Sequence, residues 1–166
     1  MLKILSVIGI VAICSYMGFA LSKYYINRKK FFVELNLFLN SMNLDISFNQ
    51  EKLEILLEKN IQSINLKELK TLINNYLSCL KQKQSVEGEK LFDGITLLKK
   101  GEKEYLLNFF KGLGRFDCEN QAKEFEKYFK VIESSIEETS KEAYKYSSLY
   151  IKLGIIFGLF LSLILL

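Results

Sequence analysis

Eleven residues, Lys111-Gly-Leu-Gly-Arg-Phe-Asp-Cys-Glu-Asn-Gln121, gather most of the chain's unusual local chemistry. Gly112 or Gly114 can take the left-handed conformation that closes a helix. Asp117 can then cap the next helix, its carboxylate accepting from the amides of Glu119 or Asn120 at the positive end of the helix dipole. Gln121, four residues on, shares a helical face with Asp117. Capping accounts for the glycines and the aspartate, less for Gln121, and it leaves Leu113 beside a partly exposed corner. Two readings stay open: a helix–helix corner, or a docking surface for a partner formed by Leu113, Gly114, Asp117 and Gln121.

No other stretch offers a catalytic arrangement. The chain has no histidine, the commonest general base and zinc ligand. Glu133, Glu137 and Glu138 fall off the apolar stripe of their helix, where carboxylates are solvated. The run Lys99-Lys-Gly-Glu-Lys-Glu-Tyr105 lacks the glycine and Ser/Thr frame of a phosphate loop, and no EF-hand spacing occurs. Cys14, Cys79 and Cys118 have no metal spacing and read as small buried hydrophobes in a reducing compartment. These residues speak against an enzyme, and none calls for a cofactor or metal.

Charge is distributed in blocks. Residues 4–21 and 153–166 carry none, and between them lie all but Lys3 of the 23 Lys and Arg, with all 19 Asp and Glu. The middle is nearly neutral and its aromatics fall at core spacing, which gives no case for nucleic acid. The first block is 18 residues long, enough for a short bilayer span. A cleaved signal peptide competes, with Gly18-Phe-Ala20 as its site, but Lys23, Arg28, Lys29 and Lys30 follow and favour an uncleaved anchor. A lipoprotein reading through Cys14 fails because Ile13 stands where a small residue is required.

Extended back to Leu149, the second block also reaches 18 residues, with Lys152 placed to snorkel. Lys141, Lys145 and Lys152 flank it on its inner side, so both anchors place the region between them in the cytoplasm. The domain reading is a transmembrane helix over 1–22, a cytoplasmic helical domain over 23–148 and a second transmembrane helix over 149–166.

Within the middle the period is helical throughout, and the fold class read from it is all-α. Phe31, Leu35, Phe38, Leu39 and Met42 make one stripe; Leu66, Leu69, Ile73, Tyr76, Leu77 and Leu80 make another. Short helices are expected from Leu53 and over Gly88–Lys100, and Tyr105 to Leu113 line a longer one. From Ala122 to Tyr150 apolar residues recur at steps of three and four, and Leu153, Phe157, Phe160 and Ile164 continue them. That predicts one continuous final helix running into the membrane, with a hinge near Lys152-Leu153-Gly154 as the alternative.

The order of motifs resembles the stage III sporulation protein AB family. Met1-Leu-Lys-Ile-Leu5, Gly18-Phe19, Tyr25 and Arg28 resemble its first anchor and exit, and Leu39-Asn-Ser-Met-Asn-Leu-Asp-Ile-Ser-Phe48 its acidic segment. Leu113-Gly114, Asp117 and Gln121 match its L-G-x-x-D-x-x-x-Q signature, and Lys152 to Leu159 its final anchor. Asn43 and Phe48 depart from the usual glutamate and tyrosine, and Glu51-Lys52-Leu53 from the usual Thr-Pro-Leu. The resemblance implies a helical cytoplasmic domain similar to those of the inner-membrane platform protein of type II secretion. It also implies a non-enzymatic role in the channel complex between mother cell and forespore, in the mother-cell membrane around the forespore. The implied partners are a cognate sporulation ATPase and other membrane proteins of the channel, with self-association open. A platform-like role in a vegetative secretion or pilus system is the alternative, and a membrane enzyme using buried carboxylates the remaining one.

The corner yields a direct test. If Asp117 only caps, Asp117→Ala should cost about 0.5–2 kcal/mol, with function falling in proportion. If the corner docks a partner, Leu113→Ala and Gln121→Ala should abolish function while thermal melting of the 27–148 fragment hardly changes; normal function in both would end the docking reading.

Overall fold

A computed structural model of the protein describes residues 2–48, 52–113 and 118–165, with side chains for 8–45, 52–113 and 126–164. Six α-helices follow one another: α1 (Leu2–Phe48), α2 (Leu53–Asn60), α3 (Lys67–Lys81), α4 (Gly88–Leu91), α5 (Lys100–Gly112) and α6 (Cys118–Leu165). No strand occurs among the described residues. A chain without proline has no residue that forces a helix to break. Accordingly α1 runs for 47 residues and α6 for 48, and α6 stays helical through Lys152, Leu153 and Gly154. The alternative of a separate helix beyond a hinge at those residues is thereby set aside.

Two compact units form: Lys30–Ile136, and Met1–Lys29 together with Glu137–Leu166. In the first, the stripe Phe31, Leu35, Phe38, Leu39 and Met42 of α1 is buried, as its spacing predicts. Leu69, Leu72, Ile73 and Tyr76 of α3, Leu106, Phe109 and Phe110 of α5, and Ile132 of α6 join it in one core. Each such side chain removed from water contributes roughly 1.5–3 kcal/mol before conformational entropy is set against it.

Helix ends in this unit are finished both by their own residues and by one from another helix. Leu66 starts α3 without a side-chain cap of its own. The Glu34 carboxylate of α1 serves instead, accepting from the amides of Asn65 at 3.1 Å and Leu66 at 2.9 Å. The far end of α3 closes on Lys83, whose φ of 52° is left-handed. There the amide of Gln84 bonds to the Cys79 carbonyl and that of Lys83 to the Leu80 carbonyl, both at 3.0 Å. In α5 the Glu102 carboxylate accepts from the Lys99 amide at 2.6 Å.

The helix expected over Gly88–Lys100 is cut to Gly88–Leu91. Gly94 takes φ 72° just beyond it, and the Asn75 side-chain amide of α3 donates to the carbonyls of Leu91 and Asp93 at 3.1 and 3.2 Å. Those carbonyls are thus satisfied without further helix, and Ile95, Leu97 and Leu98 enter the core from an irregular segment.

Asn60 at the end of α2 is only 7% exposed and ties α2 to α1. Its amide donates to Asp45 Oδ2 at 2.8 Å and to the Leu56 carbonyl at 2.9 Å, while its oxygen accepts from Ser41 Oγ at 2.5 Å. The Asn60 hydrogen bond, helped by the Lys59 ammonium, holds the Asp45 carboxyl below its ordinary value. Asn60→Leu should therefore cost about 1–3 kcal/mol, measured by thermal melting of the full chain in detergent. A depressed folded pKa stabilises fully above the unfolded value of ~3.9, and that stability drains as pH falls through the folded value. Asp45→Asn should flatten the acid limb of the melting curve; an unchanged limb would show that Asp45 does not contribute.

Candidate functional site

The corner singled out by sequence begins at Leu113, which follows the last residue of α5. Its amide donates to the Phe109 carbonyl at 3.0 Å and its own carbonyl accepts from the Tyr76 hydroxyl at 3.4 Å. Around it the Tyr76 and Phe110 rings lie 4.7 Å apart, and Phe109 meets Tyr128 edge-on at the same separation. Leu113 is 7% exposed and belongs to the core, in keeping with its place among the residues that line α5, and Tyr76 of α3 packs beside it. Leu113→Ala would then lower stability by about 2–5 kcal/mol, and its loss of function could not by itself report docking.

Gly114 and Asp117 lie outside the described residues. Gln121 falls in the first turns of α6, and its side chain lies outside them too. Next to Leu113 a groove of about 410 Å³ is floored by Tyr76, Leu80, Val86 and Phe110, with the exposed Lys52 and Lys111 among its walls. The four signature residues thus include one that is structural, and the groove beside it, lined by Glu54 as well as by the two lysines, is what sequence spacing did not show.

A second constellation lies in the unit formed by Met1–Lys29 and Glu137–Leu166. Here α1 and α6 pass so closely that a methyl group added to Gly18 would stand 2.5 Å from the Tyr150 carbonyl oxygen, and one added to Gly154 2.7 Å from that of Cys14. Gly158 faces Val11 Cα at 3.1 Å in the same way. Small residues at four-residue steps, Cys14 and Gly18 on one helix and Gly154 and Gly158 on the other, let the two backbones meet. Farther along, Tyr25 stacks on Tyr150 at 5.6 Å and lies 5.1 Å from Tyr146.

Beyond the tyrosines the Arg28 guanidinium donates to Glu142 Oε2 at 3.1 Å. Arg28 is 1% exposed and Glu142 21%, so the pair is largely desolvated. Such a pair adds little net stability, but removing one member costs the other this charge-assisted contact in a largely desolvated place. Gly18, Tyr25 and Arg28 were noted in the sequence as parts of a motif; Glu142 was not, since a partner 114 residues away leaves no local signal.

Both long helices are long and apolar enough to cross a membrane, and 11% of the most apolar window of each is buried. Such low burial is unlike a core helix of a globular domain. Among the described residues no group of three or more His, Cys, Asp or Glu is placed to hold a metal ion.

The model of one protein family, stage III sporulation protein AB, matches residues 3–166. No curated protein matches the chain, and no solved structure does.

The close crossing generates a graded expectation. Gly18→Leu and Gly154→Leu should each separate the helices and lower the melting temperature of the full chain in detergent, whereas Gly9→Leu, with nothing within 4 Å, should leave it unchanged. Arg28→Ala should cost towards the lower end of about 3–5 kcal/mol, because Glu142 keeps some solvent, and Arg28→Met with Glu142→Leu should recover much of that loss. A double variant no better than the single one would refute the stranded-charge account.

Proposed function

Since the chain belongs to the stage III sporulation protein AB family, we infer that it is a non-enzymatic membrane component of the channel complex between mother cell and forespore. On this reading it is a platform that couples a cytoplasmic ATPase to the membrane assembly. The family match over essentially the whole chain is the observation that carries it. Two membrane-length helices support it, as does the distribution of basic residues: Lys23, Arg28, Lys29 and Lys30 beyond one apolar block, and Lys141, Lys145 and Lys152 before the other. By the positive-inside rule this charge pattern favours a cytoplasmic location for the region between the blocks. The family reading sets the protein in the mother-cell membrane surrounding the forespore.

No step of chemistry is assigned to the chain itself; energy for the assembly would come from the ATPase. The contact with it is assigned to the surface around Gly114, Asp117 and Gln121, with the groove walled by Lys52 and Lys111 beside it. Leu113, adjoining Gly114 in the chain, is packed in the core.

An in-frame deletion restored in trans tests the role. The heat-resistant spore count should collapse on deletion and recover on complementation. An unchanged count would overturn the reading and turn attention to a vegetative secretion or pilus system. In the complemented strain Gln121→Ala should depress the count at normal protein level; a normal count would remove Gln121 from the docking surface.

A further inference from the structure

The chain's nine tyrosines are not spread evenly: Tyr24, Tyr25, Tyr144, Tyr146 and Tyr150 stand where the two uncharged stretches give way to charged sequence. Inside those stretches the aromatic residues are Phe19, Phe157 and Phe160, with Tyr16 as the single tyrosine. The fold gathers four of the boundary tyrosines from both helices. Tyr25 lies 5.1 Å from Tyr146 and 5.6 Å from Tyr150, and Tyr24 meets Tyr25 edge-on at 5.4 Å. The four rings therefore share one level of the α1–α6 pair. The Gly18–Gly154 contact lies on one side of that level and the Arg28–Glu142 bond on the other.

Packing alone asks only for rings, and phenylalanine would make the same stacked and edge contacts. A phenol adds a hydroxyl, which suits a level where apolar surroundings give way to hydrogen-bonding groups. The headgroup layer of a bilayer is such a level. Neighbouring charges agree with this placement. Lys23 precedes Tyr24, and Lys145 Nζ lies 5.2 Å from the centre of the Tyr146 ring. Lys152 is exposed two residues beyond Tyr150, towards the uncharged stretch. Helix Cα–Cβ bonds tilt towards the N-terminus, so Lys152 is directed back towards the tyrosine level.

We propose that Tyr24, Tyr25, Tyr146 and Tyr150 form a collar seated in the phospholipid headgroup layer, their hydroxyls fixing the depth of the helix pair. The Gly18–Gly154 contact then lies in hydrocarbon and the Arg28–Glu142 bond beyond the collar. The collar rests on the reading that both apolar stretches cross a membrane, and needs no partner protein.

The chain has no tryptophan, so one can be introduced as a sole reporter of depth. Tyr24→Trp reports the collar. Ile13→Trp, at a position 63% exposed and eleven residues deeper, reports the hydrocarbon, and Tyr144→Trp, at a position 89% exposed, the water beyond. Each full-length variant is reconstituted in phosphatidylcholine bilayers carrying a nitroxide on the headgroup or near the end of an acyl chain, and iodide serves as the aqueous quencher. Tyr24→Trp should be quenched at least about twofold more by the headgroup nitroxide than by the chain nitroxide, and Ile13→Trp the reverse. Tyr144→Trp should respond chiefly to iodide. Phe19→Trp, just inside the collar, then tests the hydroxyls. With Tyr24, Tyr25, Tyr146 and Tyr150 all changed to Phe, its ratio of headgroup to chain quenching should fall roughly twofold as the pair sinks. Tyr24→Phe with Tyr146→Phe repeats the measurement should the fourfold variant fold poorly.

Quenching of Tyr24→Trp chiefly by the chain nitroxide, or by iodide and neither lipid, would overturn the collar. An unchanged ratio for Phe19→Trp after loss of the hydroxyls would show that the rings only pack the two helices together, and would overturn the role in setting depth. An Ile13→Trp variant quenched by neither lipid would instead remove the membrane reading on which the collar stands.

Discussion

Where Gly18 meets Gly154 there is no room for a single added carbon. Helices that expose apolar side chains all round gain little from hiding them against one another in lipid, which is as apolar as they are. Dispersion between closely packed backbones has to hold the pair, and it decays steeply with separation. The tyrosine stack of Tyr25 on Tyr150 and the bond from Arg28 to Glu142 form only at the spacing that the glycines permit. A lateral slot between them is a consequence of the same geometry. Two helices this close at Gly18 and Gly154 must splay their larger residues, Met17 and Phe157 among them, to the side.

The compact unit Lys30–Ile136 depends on a different force. Its core is aqueous in kind: burial of Phe31, Phe32, Leu35, Tyr76, Phe110 and their neighbours supplies most of the free energy. Carboxylates then finish what apolar packing leaves open. Glu34 closes the start of α3, and Glu68 receives the Leu97 amide at 3.3 Å. Among the described residues no buried side-chain nitrogen or oxygen is left without a partner. Polar groups at the start of α3 therefore have defined tasks, which is why its position is specified rather than merely hydrophobic.

How much of this was legible in the sequence varied with distance along the chain. The stripe Phe31 to Met42 and the long run of α6 obey a local period, and both appear as read. The segment after Gly88 failed because its helix is ended by Asn75, 16 and 18 residues away, acting on the carbonyls of Leu91 and Asp93. The burial of Leu113 follows its helical period, but its neighbour Tyr76, 37 residues upstream, could not be read from it. Capping rules recognise a residue that serves its own helix, and Glu34, 31 residues before Asn65, serves another. The glycines at 154 and 158 carried a readable signal, a four-residue repeat of small side chains in an apolar run, but only the fold shows that Cys14 and Gly18 answer them.

The Arg28–Glu142 bond has to be weighed against this background. A hydrophobic pair of similar volume would be at least as stable, since the desolvation of two charges offsets most of their attraction. Its value is directional. Apolar helix faces slide past one another at little cost, because each Leu or Ile finds an equivalent neighbour one turn away. The ion pair limits such sliding in one direction: a slip by one turn, 5.4 Å, that brought Tyr146 to the place of Glu142 would take this carboxylate from the buried guanidinium, whereas the opposite slip would offer Glu138. Gly18, Gly154 and Gly158 set how near the two helices lie and where they can cross, and the ion pair adds a direction to that register while contributing little to stability.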